Sequence, residues 1–176
     1  MDKKDIRKQL TQEFKRRCAD GVLPEQNTAT VCAIRNHPLY QRAKSVLLYS
    51  ALWDEVNLSD LFSDSKRFIL PTVTGDDLEL HEWIGNDSTH TGAFGITESS
   101  GPLVKDYGNI DLALIPGRAF THDGKRLGRG KGYYDRLLPR LHCPTLGICF
   151  PFQLFEELPS ESHDRNVDEV VSGLKA

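Results

Sequence analysis

The sequence predicts an α/β fold with a mostly parallel sheet covered by helices on both faces. Short apolar runs of the buried-strand type alternate along the chain with segments of helical character, and buried parallel strands have this continuous apolar composition. The 176 residues, 39% hydrophobic and 27% charged, are enough for one domain, residues 1–176, with its own core.

The first elements are predicted to be two helices. Asp2 can cap a helix that starts the chain. Its apolar positions recur every four residues, at Ile6, Leu10, Phe14 and Cys18. A second helix is expected from Pro24, a favourable first-turn residue, to just before Pro38.

Apolar runs and polar–apolar alternation predict the remaining elements. Strands are expected over residues 46–50, 68–70, 78–84, 110–115, 145–150 and 167–171. Short helices are expected over residues 58–62, 133–141 and 152–158. The polar segment 85–109 and the glycine-rich segment 121–132 are expected to be irregular. Ligands bind beyond the carboxyl ends of the strands in such sheets, so these segments indicate where a site should lie.

Composition and charge exclude several classes of protein. With 22 basic and 25 acidic residues the net charge is −3, which argues against a surface built for nucleic acid. No apolar run approaches the roughly 20 residues of a membrane helix, and the first residues lack the apolar core of a signal peptide. The four cysteines form no CxxC pair and are expected to be reduced and mostly buried. We therefore expect a cytoplasmic monomer that binds neither nucleic acid nor membrane.

Residues 125–136, called here the basic segment, carry the strongest chemical signal. Three alternate glycines at 128, 130 and 132 lie among five cationic residues. Glycines let backbone N–H groups approach a ligand, and arginine and lysine match phosphate oxygens. The segment lacks the Ser or Thr of GxxxxGK[ST] and the last glycine of GxGxxG. A solvated basic turn that caps a helix explains this composition about as well as a polyphosphate site does.

Carboxylates near this segment have two interpretations. Asp135 lies in a first helical turn, where an acid is favoured by the helix dipole. It could instead bind Mg²⁺ beside phosphates, since Mg²⁺ takes one or two carboxylates together with phosphate oxygens. Asp164, in a polar turn, could be the second ligand, and spacing does not exclude Asp168 or Glu169.

Other charged residues could extend the same site. Glu55 follows the first predicted strand, where it could face a ligand or simply be solvated. Lys3 and Arg7 share one face of the first helix, as a solvated face or as a second cationic arm. No serine lies in a GxSxG pattern, so covalent hydrolase chemistry is not expected. The available groups suit phosphoryl transfer, which depends on positioning and charge neutralisation.

Residues 126–135, Arg-Leu-Gly-Arg-Gly-Lys-Gly-Tyr-Tyr-Asp, closely resemble the signature of the 5-formyltetrahydrofolate cyclo-ligase family, or methenyltetrahydrofolate synthetases. Other landmarks follow in the family's order: Lys3 and Arg7, Asp54-Glu55, Ile115-Pro116-Gly117, and Asp164 with residues 167–170. The resemblance spans nearly the whole chain. It implies a three-layer α/β/α sandwich and an ATP- and Mg²⁺-dependent conversion of 5-formyltetrahydrofolate, also as its polyglutamate, to 5,10-methenyltetrahydrofolate, with release of ADP and phosphate.

The resemblance also implies roles for individual residues. ATP would be held by Lys3, Arg7, Arg126, Leu127, Gly128, Arg129, Gly130, Lys131, Gly132, Tyr133 and Tyr134. The folate would contact Ser50, Glu55, Arg129, Lys131 and Tyr133. Arg129 and Lys131 would be catalytic, and Asp135 and Asp164 would bind Mg²⁺. The family chemistry implies phosphorylation of the formyl oxygen by ATP and attack of N10 on the activated carbon.

Three alternatives stand beside this interpretation. A relative could keep the nucleotide loop and act on another folate or on a thiamine-like substrate, although Glu55 and the tyrosines at 133 and 134 favour the folate. A non-catalytic nucleotide- or RNA-binding module would need an overall basic balance, which the net charge of −3 contradicts. A purely structural role leaves the clustered glycines unexplained.

Overall fold

The computed structural model describes residues 1–173, and a six-stranded sheet forms its centre. Along the described chain the strands are β1 (Ser45–Leu47), β2 (Arg67–Thr74), β3 (Asp77–Trp83), β4 (Thr89–Thr91), β5 (Thr97–Ser99), β6 (Leu112–Ile115), β7 (Ala119–Thr121), β8 (Arg126–Leu127), β9 (Thr145–Ile148), β10 (Leu154–Phe155) and β11 (Glu169–Val171). The α-helices are α1 (Lys3–Ala19), α2 (Leu23–Asn36), α3 (Pro38–Arg42) and α4 (Tyr133–Leu137). None of these helices is both long and apolar enough to cross a membrane.

The central sheet has the strand order β11-β9-β6-β1-β2-β3. Every neighbouring pair is parallel except β2 and β3, which form an antiparallel hairpin at one edge. The predicted mostly parallel sheet is therefore confirmed. Its inner strands are continuous apolar runs because both of their faces are covered.

Helices and irregular segments cover the sheet on both faces. On one face Val46 and Leu48 pack in a core cluster with Phe14 of α1 and Ile34 of α2. On the other face Leu47 packs in a second cluster with residues of α4 and β7. Consecutive residues of β1 thus point to opposite faces, as strand geometry requires. The arrangement is the three-layer sandwich that the resemblance implied.

The first helix begins as the sequence predicts. The Asp2 side chain accepts a hydrogen bond from Asp5 N at 2.8 Å and so caps α1. Cys18, counted among the apolar positions, is exposed at the end of this helix, and Cys32 is exposed as well. Cys143 is half-buried and Cys149 buried, so the expectation of mostly buried thiols was wrong.

Several predicted element boundaries were wrong for identifiable reasons. The predicted helix 152–158 is a 3-10 turn at Pro151–Gln153 followed by β10, because Phe150 N donates to Oε1 of the buried Gln153 and this bond fixes the turn. The predicted helix 133–141 is α-helical only to Leu137, and residues 138–140, which contain a proline, form a 3-10 turn. Strand β2 continues past Pro71 to Thr74.

Both segments that were expected to be irregular contain strands. Within residues 85–109, β4 and β5 pair as an antiparallel hairpin. Within residues 121–132, β8 pairs with β7 in a small sheet that also includes β10. This small sheet anchors the start of the basic segment.

Candidate active site

A cavity of about 680 Å³ opens beyond the carboxyl ends of β1 and β6. Tyr49 and Ser50, just after β1, and Pro116 and Gly117, just after β6, line it. Parallel α/β sheets bind ligands at this edge. The basic segment forms much of the remaining wall.

The basic segment is shaped by its glycines. After β8 the chain turns through Gly130, whose φ is +108°, and Gly132, whose φ is +73° and which caps α4. Both angles lie in a region that residues with a Cβ rarely adopt. The Gly128 carbonyl oxygen accepts a hydrogen bond from Arg7 Nε at 2.8 Å. The loop is therefore held against α1 with its backbone close to the cavity.

Arg126 is a buried cation in the cavity wall, with 8% of its surface exposed. Nη1 donates to the Pro116 carbonyl oxygen at 3.0 Å, and Nη2 lies 3.6 Å from Asp135 Oδ1. The guanidinium lies 5.5 Å from the centre of the Tyr134 ring. Burial lowers the pKa of Arg126, and the Asp135 carboxylate opposes that shift. Its buried Nε has no hydrogen-bond partner within residues 1–173.

Arg129 is tied to two neighbouring carboxylates. It donates to both oxygens of Asp54, and its Nη2 donates to Glu55 Oε1 at 3.1 Å. Glu55 is itself oriented, because its Oε2 accepts from Leu52 N at 2.9 Å. Burial acts to lower the pKa of Arg129, but the two carboxylates outweigh it and the pKa is raised. About a third of the side chain stays exposed, at 35%.

Lys3 extends from the first turn of α1 to the segment near residue 164. Its Nζ lies 2.6 Å from Glu161 Oε2 and 2.6 Å from Asp164 Oδ2. Burial acts to lower the pKa of Lys3, and the two carboxylates raise it above its usual value. The amino-terminal helix therefore brings two cations, Lys3 and Arg7, to the cavity.

Lys131 differs from Lys3, Arg126 and Arg129, which are paired with carboxylates. It is exposed, and within residues 1–173 its ammonium has no carboxylate within ion-pair distance. Its Nζ lies 5.9 Å from the centre of the Phe94 ring, on the turn between β4 and β5. The Tyr133 ring lies 6.4 Å from the same ring. Among the cations that line the cavity in residues 1–173, Lys131 and Arg7 have no carboxylate partner, and Lys131 is the more exposed of the two.

Asp135 and Asp164 both face the cavity, each with one oxygen partly engaged. Asp135 Oδ1 accepts from Arg165 N at 3.1 Å, whereas its Oδ2 has no hydrogen-bond partner within residues 1–173. Asp164 Oδ2 is held by Lys3 and by Glu161 N. Its Oδ1 lies 3.5 Å from His163 Nε2. Each carboxylate can thus offer one oxygen to a cation, which fits the preference of Mg²⁺.

All residues predicted for the site line this one cavity. They are Lys3, Arg7, Ser50, Glu55, Arg126, Leu127, Gly128, Arg129, Gly130, Lys131, Gly132, Tyr133, Tyr134, Asp135 and Asp164. Their individual roles stay predictions. The competing residues Asp168 and Glu169 are bound elsewhere, Asp168 to the Thr145 hydroxyl and Glu169 to His37.

Sequence reasoning missed several residues at or under this cavity. Asp54 was named only as a landmark of the resemblance, and Arg118, which pairs with it, was not considered. An arginine inside the apolar run from Ile115 to Phe120 was the available signal. Phe94 and Glu98 also line the cavity, from a segment to which no role was assigned.

Comparison with known proteins gives concordant results. Residues 1–173 match the model of the 5-formyltetrahydrofolate cyclo-ligase family. The chain is 27% identical to the 5-formyltetrahydrofolate cyclo-ligase of Mus musculus, covering 96% of this chain and 92% of the mouse protein. It is 31% identical to that of Mycoplasma pneumoniae, covering 87% and 88%. The NMR structure of Aquifex aeolicus 5,10-methenyltetrahydrofolate synthetase superposes with a TM-score of 0.84 at 34% identity, covering 97% of this chain and 89% of that chain.

Proposed function

The chain belongs to the 5-formyltetrahydrofolate cyclo-ligase family, and from that premise we propose how its own residues carry out the reaction. It is a ligase that cyclises 5-formyltetrahydrofolate to 5,10-methenyltetrahydrofolate at the expense of ATP. The residue assignment rests on one observation: α1, the basic segment and Glu55 all line the same cavity.

ATP is bound between α1 and the basic segment in this proposal. Lys3, Arg7 and residues 126–134 form this part of the cavity wall. The backbone from Gly128 to Gly132 can approach phosphate oxygens without a Cβ in between. Arg126 supports this role because it is a buried cation whose Nε has no partner among the described residues. A buried donor without a partner is costly, and an acceptor on a ligand would satisfy it.

The folate is bound beside Glu55, Ser50, Arg129, Lys131 and Tyr133. Glu55 presents an oriented carboxylate, which can accept hydrogen bonds from the amino and N–H groups of a reduced pterin. Exposed Trp53 and Phe94 offer aromatic surface on the same cavity. The exposed ammonium of Lys131 is also available to the carboxylates of a polyglutamate tail.

The reaction needs charge neutralisation more than acid–base catalysis. The formyl oxygen attacks the γ-phosphorus of ATP and the bond from that phosphorus to ADP breaks. N10 then attacks the formyl carbon, phosphate leaves with the formyl oxygen, and the N10 proton is lost. Arg129 and Lys131 stabilise the negative charge that develops on the transferring phosphoryl oxygens. We assign the catalytic role to these two residues.

Asp135 and Asp164 would hold Mg²⁺ at the nucleotide. Asp135 Oδ2, which has no partner among the described residues, and Asp164 Oδ1, whose neighbour is His163 Nε2 at 3.5 Å, support this assignment. Mg²⁺ bound there would neutralise charge on the phosphates. Lys3 holds Asp164 in place through its 2.6 Å contact. Within residues 1–173 Glu161 and His163 offer further donor atoms that lie within 4.8 Å of those of Asp164.

The test is a spectrophotometric assay. Purified protein, 5-formyltetrahydrofolate, ATP and Mg²⁺ are mixed, and the absorbance of methenyltetrahydrofolate is followed. Product should form only when both ATP and Mg²⁺ are present, and EDTA should stop it. The 5-methyl folate has no formyl oxygen to phosphorylate and serves as the matched control. Absence of product over a range of pH and salt would overturn the assignment.

We further propose that residues 1–176 work as one domain and as a monomer in the cytoplasm. The monomer is supported by how few large apolar side chains are exposed in the described chain, two of which, Trp53 and Phe94, line the cavity: Met1, Val22, Trp53, Ile84, Phe94 and Leu103. Light scattering during size exclusion should give the mass of a single chain, 19.8 kDa. A mass of twice this value would contradict the proposal.

A further inference from the structure

We propose that Arg118, which does not line the cavity, is a positioning residue that fixes Arg129 and the Arg7 turn of α1 in the geometry that the reaction needs. The proposal rests on the functions proposed above for Arg7 and Arg129. It goes beyond them because it assigns a role to a buried residue that has no access to either reactant.

Arg118 reaches Arg129 through a shared carboxylate. Its Nη1 donates to Asp54 Oδ2, and Asp54 Oδ1 accepts from Arg129 Nη2. Arg118 is 3% exposed and Asp54 is 2% exposed, so the contact is shielded from water. Burial lowers the pKa of Arg118, and the attraction of Asp54 opposes that shift.

The second terminal nitrogen of the Arg118 guanidinium, Nη2, contacts α1. Nη2 donates to the Arg7 carbonyl oxygen at 3.1 Å and to Thr11 Oγ1 at 2.9 Å. The guanidinium also lies 5.6 Å from the centre of the Phe14 ring on the same helix. Arg7 in turn donates from Nε to the Gly128 carbonyl oxygen. One buried side chain therefore contacts the carboxylate that orients Arg129 and the helix turn that carries Arg7.

The charge arrangement explains why an arginine is used here. Asp54 lies between two guanidinium groups, and its Oδ2 accepts from both Arg118 and Arg129 while its Oδ1 accepts from Arg129. Without Arg118, Arg129 would be the only cation left to neutralise this buried carboxylate and would be drawn toward it, away from the cavity. With Arg118 present, Arg129 makes its second set of contacts to Glu55 at the cavity wall. Arg118 and Asp54 together therefore set how far the Arg129 guanidinium extends toward the cavity.

A residue that only stabilised the fold would not need these partners. Each hydrogen bond that the Arg118 side chain donates ends on Asp54, on Arg7 or on Thr11 one turn from Arg7. A fork-shaped group with five donors can serve all of them at once, and a lysine cannot. We therefore expect Arg118→Lys to retain the charge and lose the geometry.

The experiment compares Arg118→Met, Arg118→Lys, Asp54→Asn and the double variant Arg118→Met/Asp54→Asn. For each, kcat, KM for ATP, KM for 5-formyltetrahydrofolate and the melting temperature are measured. Arg118→Met and Asp54→Asn each remove one charge of the pair. Each should lower kcat about 10- to 100-fold and raise KM for ATP. The double variant should recover melting temperature, because no unpaired buried charge remains, but it should not recover kcat.

Arg35→Met is the matched control, because Arg35 of α2 forms a part-buried pair with Asp64 at 3.0 Å and does not line the cavity. It should lower the melting temperature and leave kcat and both KM values unchanged. A double variant with wild-type kcat would overturn the proposal, as would an Arg118→Lys enzyme with wild-type kinetics. If Arg129→Ala itself had wild-type kinetics, the catalytic role proposed for Arg129 would be wrong. This result distinguishes failure of the proposed function of Arg129 from failure of the positioning role of Arg118.

Discussion

At the scale of single residues, the cavity contains cations of two kinds. Lys3 and Arg129 are neutralised by carboxylates that also fix their positions. Lys131 and Arg7 have no such carboxylate partner among the described residues, and Lys131 is the exposed one of the two. Paired cations fix the shape of the site, whereas cations without a carboxylate partner can place their full charge on a ligand.

We therefore expect Lys131→Ala to lower kcat by about 10²- to 10³-fold, because a full positive charge is lost at the transferring phosphoryl group. Since Lys131 is exposed, the melting temperature should change little. Steady-state kinetics with a melting curve check both statements. Lys105→Ala, an exposed lysine away from the cavity, is the control. Near-normal kcat would remove Lys131 from the mechanism.

The thiols also differ residue by residue. Burial raises the pKa of Cys143 to about 11 and that of Cys149 to about 12, so both stay protonated at pH 8. Cys18 and Cys32 are exposed. A disulfide reagent at pH 8 should label these two quickly, and all four cysteines only after denaturation. Rapid labelling of four thiols in the native protein would contradict this.

At the scale of elements, α2 and α3 are joined to the 3-10 turn Ser59–Ser63 by one carboxylate. Asp64 accepts from Arg35 of α2 at 3.0 Å and from the Tyr40 hydroxyl of α3 at 2.7 Å. Burial acts to raise the pKa of Asp64, but these two partners outweigh it and the pKa is lowered. The stabilisation is therefore present above the unfolded pKa of about 4 and is lost as pH falls through the lower folded value.

Asp64→Asn should accordingly lower the unfolding free energy by about 1 kcal/mol at pH 7, because it removes a charge-assisted contact. The difference from wild type should shrink as pH falls below about 4. Urea titrations at pH 3 to 7 measure it. Asp60→Asn, an exposed neighbour, should have no such pH-dependent effect. A difference that stays constant down to pH 3 would exclude the ion pair as its cause.

The turn that leads into β8 depends on a glycine for two reasons. Gly124 has φ +92°, and a Cβ there would lie under 3.0 Å from the Val167 carbonyl oxygen. Gly75, with φ +61°, has open space around the same position. Gly75→Ala should cost about 1 kcal/mol from backbone strain alone, and Gly124→Ala about 3 kcal/mol because crowding adds to it. Equal shifts in urea midpoint would show that the close approach does not matter.

At the scale of the whole molecule, the sequence predicted the sheet better than its periphery. The runs 46–50, 110–115 and 145–150 are strongly apolar because their strands are buried on both faces. The hairpin of β4 and β5 gave no such signal, since its strands are short and rich in threonine. Propensity alone does not identify strands whose faces stay polar.

The residues of the site could be predicted from the sequence only where they lie close together along the chain. Alternate glycines with arginines and lysines are a local pattern, so the basic segment was recognised. The pairing of Arg118 with Asp54 joins residues 64 positions apart and has no local signature. Ion pairs between residues far apart in the sequence depend on the topology of the fold, which local sequence patterns do not reveal.

Binding of ATP should stabilise the whole chain. At a concentration 100 times its Kd, a ligand of the native state adds about 2.7 kcal/mol, which corresponds to about 5–10 °C for a domain of this size. A thermal-shift measurement with ATP and Mg²⁺ checks this. Adenosine, which lacks the phosphates, is the matched control and should shift the melting temperature much less. No shift with ATP would argue against nucleotide binding between α1 and the basic segment.

The contacts of α1 have a consequence for synthesis on the ribosome. Its apolar side chains Ile6 and Leu10 pack in one cluster with Ala119, Leu127 and Leu158. The nascent helix emerges more than a hundred residues before those partners, and translation at about 5–20 residues per second makes that interval several seconds or more. During this interval the apolar stripe of α1 is uncovered and available to chaperones. The proposed nucleotide site between α1 and the basic segment is complete only in the last stage of translation.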